Sequence, residues 1–470
     1  RHRSYVELAV ACAEQTRHPA VRAVARFLNH DILQAREQAP EELHYSDLIS
    51  FLVGETPVHR LPCLRDFWEQ RLREDYVKQD GLRCKCLVCG EEKPIVQRHP
   101  IELQVGPDRA QLISGNANAF ESYKLKASEI APICYECSIK YGVALRYLLD
   151  SDVHSFGTAG GTYVFWTRRE TDFNPWTMLN DPQPEDIKRL LQAPWRRQGA
   201  PDVESNDFYA LCVTSNQSRM VVRSWIATTV AGVRKNLDTY FKAQRIVGPN
   251  GDDSPYPLNR LALALVRRFA DLSPQVMPAL LEFALTGRPL PLWLADRAVQ
   301  RARADTDNRM TRPRAAVMRL VFESQRLHFP NKEVPIVNAE LDQQNTSAAY
   351  LCGRLLAVLE EVQRCAMPGV NATIVDKYFG TACSAPATVF GTLMRNAQAH
   401  LAKLRKTKKG AHYLLQKRIE EVSALMPPQG FPLTLTLQDQ ALFALGYYQQ
   451  RAAGFYHKNE EVEESEEAEE

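Results

Sequence analysis

Two Cys-x-x-Cys turns, Cys86-Leu-Val-Cys89 and Cys134-Tyr-Glu-Cys137, constrain this 470-residue sequence more than any other feature. Together they offer four thiolates, the ligand set that tetrahedral zinc takes, and a site closed by four cysteines is structural because no coordination position stays open. Any fold must bring Cys89 and Cys134 together across 44 intervening residues, a stretch longer than a minimal zinc ribbon that has to fold beside the site. Cys84 makes the first turn a Cys-x-Cys-x-x-Cys variant and can replace one ligand. Unrelated buried thiols or a redox pair are the alternatives. Eleven cysteines in all are too sparse for a disulfide scaffold, which points the clustered pairs toward metal.

Hydrophobic periodicity divides the rest into an α+β, multidomain chain. Residues 1–80 read as a helical N-terminal segment, with Tyr5, Leu8, Ala9 and Cys12, then Val21, Val24, Ala25 and Leu28, at helical spacing. Residues 81–150 break into short apolar runs around the cysteines and close on a helix from about Ser138 to Leu149, a zinc-bearing α/β module. Residues 151–340 form a mixed α/β region. It opens on the Gly157–Gly161 turn and the strand-like 162–167, and continues into a hairpin over 208–226 with its turn at Ser215–Ser218. Alternation along the second strand of this middle β-hairpin puts Arg219, Val221, Arg223 and Trp225 on one face and Met220, Val222 and Ile226 on the other. Helices are expected over 230–241 and 258–272, with linker character at 248–257 and a break at Gly287–Pro291. Residues 345–455 read as a C-terminal helical bundle of four apolar stripes, with Ser384 capping the helix that carries Val389, Phe390 and Leu393.

The formal charge of +2 conceals an asymmetry. Lys458–Glu470 carries eight Glu against one Lys, so the remaining body is +9. A basic body suggests polyanionic partners, and 458–470 reads as an acidic, disordered tail. No apolar run approaches the ~18 residues of a membrane span and no secretory segment is evident, so a cytoplasmic protein without a membrane partner is expected. The chain opens on Arg1 rather than Met, as expected of a sequence that lacks an N-terminal portion.

Three basic clusters are candidates for nucleic-acid backbone contacts. Arg219 and Arg223 lie on the hairpin. The segment 297–326 has eight Arg against three acids, including Arg297, Arg301, Arg303, Arg309 and Arg312. Arg395, Lys403, Arg405, Lys406, Lys408 and Lys409 surround Gly410. A solvated face with internal ion pairs is the competing reading for each. A nuclease of the His-Asn-His type would also set catalytic groups between two cysteine turns, and His99 stands in a suitable place. The acid expected before that His is Arg98, the Asn expected before the second turn is Ile133, and Ser138, Ile139 and Lys140 follow where a metal ligand would stand.

The ordered set Arg98-His-Pro-Ile101, Leu112-Ile-Ser-Gly-Asn-Ala-Asn-Ala-Phe-Glu-Ser-Tyr123, Ala131-Pro-Ile133, Arg223-Ser-Trp225, Ala302-Arg-Ala-Asp305, Arg312-Pro-Arg-Ala-Ala316, Asp376-Lys-Tyr-Phe379 and Leu445-Gly-Tyr-Tyr-Gln-Gln-Arg451 resembles the large subunit of the type I-C CRISPR Cascade complex over nearly the whole chain. Many members of that family lack the cysteines, and most extend further at the N-terminus. The resemblance implies a non-catalytic subunit that senses a protospacer-adjacent motif in duplex DNA and helps open it for a crRNA, while a separate helicase-nuclease cuts. Implied partners are crRNA-bound backbone subunits, target double-stranded DNA and its displaced strand, the helicase-nuclease, and small subunits made from the C-terminal bundle by internal translation. On this reading Asn116 and Asn118 read base edges, as Asn amides can. Ser122, Tyr123 and Lys124 stand at the motif's edge. Turn geometry alone also accounts for the Asn and Gly residues there. Besides the nuclease, a protein-only scaffold is the remaining alternative.

Overall fold

The computed structural model describes residues 2–31, 49–77, 82–115, 117–121, 125–158, 160–186, 205–216, 219–306 and 309–467. Helices predominate and short sheets are interspersed, the α+β architecture expected from the sequence. The chain divides into two units, 1–150 with 215–221, and 151–214 with 222–470. Among the described residues no helix is long and apolar enough to cross a membrane.

In the first unit, α1 (His2–Thr16), α2 (Pro19–Arg26) and α3 (Pro62–Tyr76) pack through Cys12, Ala13, Val21, Ala25 and Phe67, beside a small hairpin of β1 (Leu52–Val53) and β2 (Thr56–Pro57). Pro19 and Pro62 each open a helix at its first turn, where a missing N–H costs nothing. The cysteine module follows: β3 (Arg83–Lys85) pairs with β4 (Glu92–Pro94), β5 (Leu103–Val105) pairs with β6 (Asp108–Ala110), and α4 (Tyr135–Leu149) closes it. Gly142 of α4 allows close approach to Ile101, whose side chain occupies the place of a Cβ.

An antiparallel sheet follows in the order of the chain, β7 (Ser155–Thr158), β8 (Gly161–Thr167), β9 (Asp207–Asn216) and β10 (Arg219–Thr229), with the short α5 (Pro175–Asn180) between β8 and β9; apart from 215–221 it belongs to the second unit. Tyr163, Phe165, Phe208, Ala210 and Ile226 enter the core, where they meet Val233 and Leu237 of α6 (Val230–Gln244). Each buried Phe, Ile, Leu or Val among them contributes about 1.5–3 kcal/mol. Thr229 caps α6 by accepting from the Gly232 amide, which fixes the turn from sheet to helix. Met220 and Ile226 are buried as alternation requires, but Val222 of the same set is 48% exposed. The expected helix over 258–272 is cut short. Only α7 (Leu258–Leu263) forms, and a 3-10 turn at Phe269–Asp271 follows.

Next come α8 (Val276–Thr286), α9 (Trp293–Ala304) and α10 (Arg312–His328), then α11 (Ala348–Ala366), α12 (Ile374–Ser384), α13 (Pro386–Thr407), α14 (Lys409–Ala424) and α15 (Leu437–Glu467). Gly287 ends α8 at φ 75°, a left-handed position that favours glycine. A capping box of Thr373 and Asp376 starts α12. Ser384 does not cap α13. Its hydroxyl donates back to the Gly380 carbonyl at 2.9 Å, and Pro386 opens α13 instead. Helix α15 carries the backbone as far as Glu467, into the stretch read from sequence as a disordered end, because Glu is a good helix former and propagation from a packed segment needs no new nucleus. One contiguous core joins the sheet, α6–α10 and the C-terminal helices.

Helices α11 and α15 meet backbone to backbone. A Cβ added at Gly353 would fall on the Phe443 carbonyl, and one at Gly446 on the Tyr350 carbonyl. Beside the crossing, Glu360 is 3% exposed and accepts from Arg364 (2.7 and 3.0 Å), Tyr447 Oη (2.7 Å) and Thr373 Oγ1 (3.2 Å). A buried carboxylate is tolerable only when paired and hydrogen-bonded in this way. Gly353→Ala and Gly446→Ala should each lower stability by about 1–3 kcal/mol or more. Gly391→Ala, on α13 with nothing within 4 Å of the new Cβ, should raise it by about 0.5–1 kcal/mol. Urea denaturation measures both signs, and a neutral Gly353→Ala would contradict the close crossing.

Candidate functional site

The ligating atoms of Cys86, Cys89, Cys134 and Cys137 lie within 4.8 Å of one another. Hydrogen bonds of the backbone explain why. The first turn closes through Gly90, whose amide donates to the Cys86 carbonyl at 2.9 Å with φ at 75°. The second is brought to it by an antiparallel bridge between Ile95 and Cys134 and by the Val96 amide on the Ile133 carbonyl. Cys134 is the N-cap of α4 and Cys137 lies in its first turn, where the positive end of the helix favours thiolates.

The donor set suits a thiophilic cation. Burial alone would raise the Cys86 thiol, but amide donors from Cys134, Cys89 and Val88 reverse this and hold it below the usual thiol range. Burial pushes the Cys134 and Cys137 thiols up. Amide donors thus favour the Cys86 thiolate, the form in which a cysteine ligates a metal. Cys84 stands outside the cluster on β3, opposite Lys93, with burial raising its thiol.

His99 is 2% exposed in the same unit. Its Nδ1 lies 2.6 Å from the Tyr141 hydroxyl, and burial pulls its pKa down to about 4, so it is neutral at neutral pH. Its carbonyl accepts from Gln111 Nε2 at 3.1 Å, and the Gln111 carbonyl in turn accepts the Met220 amide from the hairpin tip. Arg219 there sets its guanidinium 3.6 Å over the Phe120 ring. Phe120 belongs to the 3-10 turn Asn118–Phe120, on which Asn118 is exposed. Arg219 is therefore placed to support the turn that presents Asn118. Asn116, Ser122, Tyr123 and Lys124 lie outside the described residues.

The arginines of 297–326 fall into two groups. Arg301 pairs with Asp305 at 3.0 Å. Arg309 donates to the carbonyls of Arg303 (3.0 Å) and Asp376 (2.8 Å). Arg312 holds the 246–254 loop through the Ile246 carbonyl (2.9 Å), the Asp252 carboxylate and the Ser254 carbonyl, and lies over Tyr256. The stretch read as a linker is thus pinned. Arg297 and Arg303 remain exposed, Arg303 with one bond to Gln440 at 3.1 Å. On the sheet, Arg223 is exposed and donates to Thr214 at 3.0 Å. Trp225 is 54% exposed and completes an aromatic cluster with Tyr209 and Trp166, which alternation along a single strand does not reveal.

The α13–α14 hairpin differs from all of these. Between residues 377 and 419 there are nine Lys or Arg and no Asp or Glu. Arg395, Lys403, Arg405, Lys406, Lys408 and Lys409 are all exposed, and none is in an ion pair among the described residues. The apolar stripe of Val389, Phe390, Leu393, Ala397, Leu401 and Leu404 faces the core, so the cations are left on the outer side. Tyr413, 72% exposed on the first turns of α14, adds a ring beside them; its exposure is not readable from the sequence.

The sequence profile of a family described as CRISPR-associated protein (Cas_Csd1) matches residues 1–455, and the chain belongs to that family of CRISPR-associated proteins. Comparison with curated proteins found no match. Elemental analysis of freshly purified protein should find one bound metal ion per chain, absent from Cys134→Ser and retained in Cys84→Ser. A metal-free protein, or one whose metal disappears only in Cys84→Ser, would overturn the four-cysteine assignment.

Proposed function

We propose that the chain is the large subunit of a type I-C Cascade complex, which recognises the protospacer-adjacent motif in duplex DNA, stabilises the R-loop and recruits a separate helicase-nuclease. The observation that carries this is the family match along 455 residues combined with a solvent-facing basic hairpin that holds no Asp or Glu from its start to residue 419. Guided complexes leave sequence reading to base pairing, so their protein needs only a short motif reader and sequence-independent phosphate contacts. Asn118, on a turn braced by Arg219, suits the first role. Arg395, Lys403, Arg405, Lys406 and Lys408 suit the second, with Arg223, Arg297 and Arg303 as further contacts. Zinc is the natural occupant of the four-cysteine centre, which would serve to hold β3, β4 and α4 together.

A catalytic role for the chain itself is not part of this reading. His99, the residue a His-Asn-His nuclease would need, is buried with its Nδ1 on the Tyr141 hydroxyl, which favours a structural role for it. The crRNA-bound backbone subunits, small subunits and helicase-nuclease are the partners the reading requires.

The test uses the crRNA-loaded complex and a target library with randomised flanking bases. The complex should retain a short preferred motif, and Asn118→Ala should weaken binding to that motif by about 1–3 kcal/mol while leaving other flanks unchanged. Replacing Lys403, Arg405, Lys406 and Lys408 with Ala should weaken every target alike and flatten the salt slope by about 0.9 for each phosphate no longer neutralised. Arg312→Ala should instead lower the melting temperature. No motif preference, or Mg²⁺-dependent plasmid cleavage abolished by His99→Ala, would overturn the proposal.

A further inference from the structure

A cleft of about 360 Å³ in the second unit is built from the loop before α11, the last turns of α14 and the middle of α15. Its lining includes Arg354 of α11, with Arg418 and Gln450 as further polar residues and Leu341, Val422 and Leu425 as apolar ones. Arg354 is 4% exposed. Its Nε donates to Gln450 Oε1 at 3.0 Å, and Nη1 reaches the carbonyls of Asp342 and Gln343 at 3.3 Å each. Its Nη2 donates to no described residue.

No carboxylate among the described residues forms an ion pair with this guanidinium; Asp342 and Glu421 act on it only through space, and burial outweighs them and pulls its pKa below the usual arginine range. The Asp342 carboxylate accepts from the Gln344 amide (3.1 Å) and Asn345 (3.4 Å). Glu361 pairs with Arg418 at 3.0 Å, and Glu421 lies 3.8 Å from Lys417. A buried charge without a counter-ion costs several kcal/mol, a cost that an anion entering the cleft would offset. Charge-assisted bonds from a planar guanidinium match phosphate oxygens, and Arg418, with its side chain 17% exposed, sets a second guanidinium in the same cleft. Arg354 supplies the net positive charge, and Arg418, already paired with Glu361, adds guanidinium donors for further phosphate oxygens. The apolar residues give a sugar or base a surface to rest on, and Glu421 in the lining is an acceptor for a sugar hydroxyl.

We propose that this cleft binds a nucleotide-sized phosphate, with Arg354 and Arg418 on the phosphate oxygens. The same chemistry is presented by a free mononucleotide and by the phosphorylated end of a strand. Titration calorimetry on the full chain tests it with four probes: a nucleoside, its 5′-monophosphate, and a tetranucleotide with and without a 5′-phosphate. The monophosphate should bind at least tenfold more tightly than the nucleoside. Arg354→Gln should abolish that difference, and Arg418→Gln should reduce it several-fold. Should Arg354→Gln fail to fold, as circular dichroism would reveal, the Arg418→Gln result alone decides. A 5′-phosphate preference shared by the tetranucleotide assigns the site to strand ends, and one confined to the monophosphate assigns it to free nucleotide. Equal binding of nucleoside and monophosphate, or a phosphate preference unchanged in Arg418→Gln, would overturn the proposal.

Discussion

The backbone contact of α11 with α15 at Gly353 and Gly446 is the constraint on which the second unit depends. Helices normally stand 8–10 Å apart, held off by their side chains. Removing the Cβ atoms at the crossing lets the two axes close, and it forces the polar residues flanking the crossing to satisfy one another. Glu360 with Tyr447, Arg364 and Thr373 is one result, and Arg354 with Gln450 is another. Helices α12, α13 and α14 then pack around α11 through single apolar stripes. Their remaining faces are free to carry charge, and the basic α13–α14 hairpin is where this freedom is used.

Desolvation separates the arginines by role. Arg309, Arg312, Arg314 and Arg319 each cap two or more backbone carbonyls or join a carbonyl to a carboxylate, which turns a costly buried cation into a brace between distant segments. Such residues are needed for the shape of the protein. The hairpin cations are exposed and have no ion-pair partner among the described residues, so they can exchange water and counter-ions for phosphates at little cost. The same distinction marks Arg354, which is buried like a brace but left with one donor unengaged.

Much of this is legible in the sequence, for reasons that are local. The two cysteine turns, the β9–β10 hairpin, the break at Gly287 and the apolar stripes of α11, α13 and α14 all follow from spacing and turn chemistry. What sequence cannot give depends on distant partners. The arginines of 297–326 read as one basic stripe, because nothing nearby announces that Arg312 will meet Asp252 and Ile246 some 60 residues upstream. Ser384 has the chemistry of a helix cap, yet Pro386 supplies a better start. Arg219 groups by charge with phosphate-binding cations, yet its ring partner Phe120 lies 99 positions away. The absence of acids from 377 to 419 is plainly visible, and it is the part of the charge pattern that survives folding as an open surface.

On the proposed function, the α13–α14 hairpin lies against nucleic acid in the working complex. Photo-crosslinking of the crRNA-loaded complex on target DNA, followed by mass spectrometry of the linked peptides, tests it most directly. Crosslinks should concentrate in the peptides that contain Lys403, Lys406, Lys408 and Tyr413, and should depend on target DNA. A crosslink map that leaves 395–413 empty while the complex is fully bound would contradict it.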